Sequence, residues 1–180
     1  MKTKTFILTL GILAALCTPW QGAFAQEKEK SPASEKGAGS DAMFIKKAAH
    51  GGMMEVELGK IAAEKGQSQD VKDFGNRMVK DHSKANDQLK EVAGKMSAKV
   101  PGKLNAKHKA MVDQLSAMSG AEFDKAYVKA MIKDHEQDIA EFEKADKEVK
   151  NADLKKFIEN TIPVMKEHLE MIKKFDQAKS

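Results

Sequence analysis

Three stretches of the chain repeat one short pattern: Met78-Val79-Lys80-Asp81-His82, Met131-Ile132-Lys133-Asp134-His135 and Val164-Met165-Lys166-Glu167-His168. Each sets an imidazole behind an acid, on or beside the apolar stripe of a segment with helical periodicity. A fourth segment carries His50, seven residues before Glu57. Imidazoles gathered at one level of a fold can ligate a transition metal, or they can form a hydrogen-bonded polar layer. The candidate ligands are therefore His50, Glu57, His82, His135 and His168. The structural alternative is a layer in which the same histidines bond Asn86, Asp138 and Glu57. Asp81, Asp134 and Glu167 lie about 100° round each helix from the histidine that follows, so they face solvent or a neighbouring helix.

The pattern narrows the chemistry. Di-iron bundles set Glu-x-x-His on two helices, but here Val79, Ile132 and Met165 stand three residues before the histidines. A ferritin-like oxidase is accordingly the weakest reading. Imidazole with few carboxylates suits zinc, copper or nickel, so zinc or copper is the candidate cofactor. Met54, Met78, Met131 and Met171 lie three or four residues from a histidine. Thioethers there could serve Cu(I) or a non-covalent haem, or simply fill the core. No nucleophile motif, phosphate-binding loop or paired-carboxylate arrangement supports an enzyme.

The elements that must position these residues read as helices throughout. Helix one is expected from about Asp41 to Lys65 and helix two from Ser68 to about Lys99, on a stripe of Val71, Phe74, Met78, His82, Ala85, Leu89 and Val92. Val100-Pro101-Gly102 is expected to end it. A short helix follows from about Ala106 to Met118, and Ser119-Gly120-Ala121-Glu122 reads as a capping box for the next long helix. Asn151 caps the last one, with a kink expected at Pro163. Two tight turns and one long connection predict an all-α, ferritin-like four-helix bundle: two helical hairpins joined by a crossover containing a short helix. His50 and His82 flank the first turn almost equally, as His135 and His168 flank the second. That symmetry predicts all four at one level near the midplane, with His82 and His135 within about 10 Å of each other.

Lys2, Lys4, the apolar run Phe6–Leu16 and Ala23-Phe24-Ala25 predict a secretory signal cleaved after residue 25. Leu16 stands where a lipoprotein signal needs a small residue before Cys17. Removing residues 1–25 of 180 leaves 155, without the single cysteine or tryptophan. That excludes disulfides, thiolate metal sites and c-type haem. The formal charge falls from +4 to +2 as Lys2 and Lys4 leave, and interspersed charges read as a solvated surface, so nucleic acid is not an expected partner. No later run is long enough to span a membrane, and nothing alternates like barrel strands. Residues 26–40 are expected to be a flexible linker and 41–180 the bundle, in the periplasm or secreted.

Phe74-Gly75-Asn76-Arg77-Met78-Val79-Lys80-Asp81-His82-Ser83-Lys84-Ala85-Asn86, Glu55-Val56-Glu57-Leu58-Gly59 and Pro163-Val164-Met165-Lys166-Glu167-His168-Leu169 resemble a bacterial family catalogued as domain of unknown function 4142. Its members are exported, ferritin-like and often labelled outer membrane proteins, a label that agrees poorly with a chain lacking a spanning segment. The resemblance covers about residues 42–175 and implies the bundle fold, with no activity attached. If the family has a site, the matching positions are His50, Glu57, His82, His135 and His168. Two functions follow: a non-enzymatic bundle binding a metal or small ligand at the histidine layer, in envelope stress or metal handling, or a structural or interaction protein whose histidines only organise the core.

Overall fold

The computed structural model describes the backbone of residues 32–178 and the side chains of residues 39–176. Five helices follow one another: α1 (Pro32–Lys65), α2 (Gln69–Lys95), α3 (Ala106–Ser116), α4 (Gly120–Glu148) and α5 (Ala152–Ala178). α1 with α2 and α4 with α5 form hairpins; α2 packs on α5, α1 on α4, and α3 lies mainly against α1. The expected all-α bundle of two hairpins and a crossover is the observed architecture. Among the described residues no helix is long and apolar enough to cross a membrane. The signal peptide and residues 26–31 of the linker lie outside the described residues.

Each tight turn is tied to the opposite hairpin by a buried carboxylate. Asp124 of α4 accepts from the backbone N–H of Gln67 (2.8 Å) and Ser68 (2.9 Å) in the α1–α2 turn. Asp41 of α1 accepts from the backbone N–H of Asn151 (3.3 Å) in the α4–α5 turn. The start of α4 therefore sits at the α1–α2 turn, at the far end from the C-terminus of α2, and the crossover runs the length of the bundle. Between α1 and α2 the backbones approach closely: a Cβ on Gly75 would stand 2.6 Å from the Gly59 carbonyl oxygen. Only glycine permits that spacing.

Several boundaries differ from expectation. α1 starts at Pro32 rather than near Asp41. Residues 32–40 carry no apolar stripe, but extending a packed helix adds a bond per residue without a new nucleus, and proline is favoured in the first turn. α2 ends at Lys95, short of Lys99, because Ser97 turns left-handed (φ 53°). Ser97 N–H then bonds the Gly94 carbonyl (3.1 Å) and Ala98 N–H the Ala93 carbonyl (2.9 Å), closing the helix before Pro101 is reached. Ser119 makes no side-chain cap bond; with Gly120 at φ 59°, the expected capping box does not form. Ser68, Asn105 and Asn151 do cap, accepting from Val71, His108 and Leu154 N–H at 3.3, 2.9 and 3.0 Å. α5 continues as helix through Pro163.

The interior is divided. One apolar cluster, including Phe44, Leu89, Phe142, Leu154 and Phe157, fills the end near the α4–α5 turn. Another, including Leu58, Val71, Phe74, Phe123, Tyr127 and Ile172, fills the end near the α1–α2 turn. Between them lie four buried polar side chains, Glu55, His82, His135 and His168.

Candidate metal centre

His82 arrives from α2, His135 from α4 and His168 from α5, each buried in the interior of the bundle. Their rings lie 5.7 Å apart for His82 and His135, 5.2 Å for His82 and His168, and 5.6 Å for His135 and His168. The inward nitrogens converge: His168 Nδ1 is 3.3 Å from His82 Nε2 and 3.5 Å from His135 Nε2. All three rings are nine-tenths buried or more.

The outward nitrogens are each held. His82 Nδ1 meets Glu55 Oε2 at 2.8 Å, His135 Nδ1 meets the Met131 carbonyl at 3.0 Å, and His168 Nε2 meets Asp81 Oδ2 at 2.9 Å. A carboxylate or carbonyl can only accept, so each outward nitrogen carries the proton. The tautomers assigned this way leave a lone pair on every inward nitrogen. Three lone pairs at these distances repel unless a positive charge lies among them, either a proton on one ring or a cation bound by all three. The spacing fits a cation. A tetrahedral zinc with bonds of about 2.0–2.1 Å has ligand–ligand edges of about 3.3–3.4 Å. Carboxylate or carbonyl partners on the far nitrogens are also the usual support for metal-bound histidine.

The electrostatics divide the rings. Burial alone would raise the Glu55 carboxyl; His82, then His135 and His168, outweigh it and hold Glu55 at about 2. Burial works to lower His82, and the Glu55 carboxylate overrides it, lifting that ring above the ordinary histidine value. Burial lowers His135 to about 4, and it lowers His168 as well. At neutral pH His135 and His168 are thus neutral and able to ligate, whereas His82 is where a proton would compete.

The remaining expected residues are placed elsewhere. His50 is buried but does not join the triad; its ring lies 6.1 Å from that of His108 on the crossover helix. Glu57 is exposed, and the carboxylate at the histidines is Glu55, also 3.7 Å from His135 Nε2. The reason is the ridge of α1 that faces α2: Ala48, Gly52, Glu55, Gly59 and Ala62 recur at intervals of four and three, which places position 55 inward and 57 outward. That row of small residues interrupted by one acid was a readable signal. Equal chain distance from the turn fixed height for His50, but not the direction of its ring. Met54, Met78 and Met131 belong to the apolar cluster, and the Met171 sulfur accepts from Arg77 Nη1 at 3.0 Å.

Solvent reaches His82 along a groove of about 420 Å³ between α2 and α5, lined also by Arg77, Asp81 and Thr161. Arg77 pairs there with Glu167 (2.6 Å) and Asp81 (3.2 Å). A larger concavity, about 720 Å³, lies at the α1–α2 turn and is lined by no histidine.

Residues 26–175 match the family described as Domain of unknown function (DUF4142). The chain belongs to the DUF4142 family. No curated protein matches its sequence. A solved structure titled as a crystal structure of a DUF305 fragment from Deinococcus radiodurans is similar in fold, with a TM-score of 0.66 at 11% identity over 75% of this chain and 93% of that one. At that identity the likeness bears on the fold alone. DUF4142 membership brings no catalytic assignment to the histidine triad.

Proposed function

We propose that this DUF4142 protein is an exported, non-enzymatic bundle that binds one divalent transition metal, zinc or copper, at His82, His135 and His168, in metal handling or envelope stress. The observation that carries the reading is three buried imidazoles whose ligand nitrogens lie within 4.8 Å of one another, each with its outward nitrogen held by an oxygen acceptor. Three imidazoles favour the borderline ions over calcium or magnesium. Export rests on the N-terminal charge, apolar run and Ala23-Phe24-Ala25; a mature N-terminus at Gln26 is the expected result of sequencing protein from the periplasm. A lipid-modified Cys17 or a retained signal would overturn it.

The direct test is thermal. Untagged mature protein should melt at higher temperature with zinc or copper, since a ligand preferring the folded state stabilises it by mass action. Replacing His82 and His135 together should abolish the rise. No change in melting temperature with zinc, copper, nickel or iron would leave the alternative, a purely structural polar layer. One observation favours that alternative: a single proton on His82, whose ring Glu55 draws to the charged form, already closes the His82–His168 contact.

A further inference from the structure

The three acceptors behind the triad differ in what holds them. Glu55 is 2% exposed, and the Met131 carbonyl belongs to the backbone of α4. Asp81, by contrast, lies along the α2–α5 groove. A partly solvated carboxylate is free to turn to water, so ordering it on one ring requires a second tie. Arg77, four residues earlier on α2, supplies that tie. Its Nε donates to Asp81 Oδ2 at 3.2 Å, the same oxygen that accepts from His168 Nε2 at 2.9 Å. Its Nη2 donates to Glu167 Oε2 at 2.6 Å and its Nη1 to the Met171 sulfur at 3.0 Å, both on α5. One guanidinium thus spans the two helices that meet at His168. Side-chain exposure falls along these contacts from 62% at Glu167 to 37% at Arg77, 23% at Asp81 and 0% at His168. Phe74, three residues before Arg77, packs edge-on against the His168 ring with centroids 6.1 Å apart.

An exposed ion pair by itself contributes little to stability. This one differs because the oxygen it holds is shared with a fully buried ring. We infer that Arg77 is a positioning residue for the histidine triad: its forked guanidinium keeps Asp81 on His168 Nε2 and so fixes which His168 nitrogen faces the other two rings. A neutral imidazole has two tautomers, and only the one protonated at Nε2 leaves its Nδ1 lone pair toward His82 and His135. Asp81 selects that tautomer by accepting the Nε2 proton. Arg77 selects the Asp81 orientation that can accept it. Lysine is not an equivalent, because an ammonium is a point charge on a flexible stem whereas the guanidinium presents its donors in a rigid fork.

Long-range proton–nitrogen NMR spectra of the metal-free mature chain at neutral pH read the tautomer directly, with zinc affinity measured in parallel. Wild type should show His168 protonated at Nε2. Arg77→Gln should introduce a population protonated at Nδ1, and Arg77→Lys should not restore the wild-type spectrum. Zinc affinity should fall by roughly three- to tenfold in Arg77→Gln, less than on losing the outer partner Asp81 itself. In an Asp81→Asn background the same replacement should change it by less than about twofold, because the effect runs through Asp81. Circular dichroism melting accompanies each variant. A lowered melting temperature with the His168 tautomer unchanged would mean a merely structural brace and overturn the inference, as would losses of zinc affinity that add in the double variant. Should Arg77→Gln fail to fold, Arg77→Lys decides: a wild-type tautomer in it overturns the inference, and a mixed one supports it. Only the zinc measurement rests on the proposed metal reading. Wild type that binds no zinc while His168 changes tautomer in Arg77→Gln would sink that reading and leave the role of Arg77 standing.

Discussion

In the triad, every ring nitrogen that does not point inward is held, by Glu55, by the Met131 carbonyl or by Asp81. Around the α1–α3–α4 cavity, His50, His108 and Asp134 each leave a buried atom without a partner. The same residue types therefore produce two different kinds of site. The first is held by its own hydrogen bonds, set between two apolar clusters and open to the α2–α5 groove at His82; as a metal site it would discriminate by the distance between nitrogens. The second lines an open cavity of about 480 Å³, one wall of which is a short helix on a connection. Burial and then the neighbouring acids raise Asp134 to about 9 and Asp138 to about 7, so at neutral pH the Asp134 carboxyl keeps its proton and can donate it. Preorganisation comes from the partners behind the donor atoms, more than from the donors themselves.

The comparison can be broken most strongly at a donor. His168→Ala removes one of three converging nitrogens and should cost zinc affinity more than the roughly 10- to 100-fold typical of losing an outer partner; calorimetric titration reads it. Glu55→Gln comes next, because Glu55 Oε2 holds the outward nitrogen of His82. It should reduce zinc affinity at the triad by roughly 10- to 100-fold. Asp81→Asn should fall at the lower end, near tenfold, because its carboxylate is partly solvated and also engaged by Arg77.

Acid sharpens the contrast in the metal-free protein. His135 is lowered from 6.5 to about 4 by burial. Between those values the unfolded chain takes up a proton that the folded ring refuses, so stability is lost as pH falls through that window. His82, raised above 6.5, contributes with the opposite sign: its share is full below 6.5 and lost as pH rises past its folded value. Melting temperatures of wild type and His135→Gln from pH 7 to pH 4 should converge as pH falls. The smallest effect is expected from His108→Gln on zinc binding, unchanged within about twofold because His108 has no contact with the triad.

Much of this was legible in the sequence. Three-and-four spacing identified the long helices because each carries one uninterrupted apolar stripe, and equal chain lengths about two tight turns brought His82, His135 and His168 to one level. What chain length could not convey was rotation. His50 lies at a suitable distance from its turn, yet its ring faces the crossover helix; Glu57 points to solvent while Glu55, two residues earlier, points inward. The end of α2 was missed for a similar reason: Ser97 adopts a left-handed conformation that residue type seldom announces, so the expected breaker at Pro101 came too late.

The division of the interior has a consequence for the order of assembly. Both apolar clusters draw on the two hairpins together, so α1 and α2 alone would present two half-cores and one ligand of the triad. The third imidazole, His168, is contributed by α5, which follows α2 and α4 in chain order. A growing chain cannot capture an ion with the full set of three imidazoles. The complete set of three imidazoles exists only once α2, α4 and α5 have packed together.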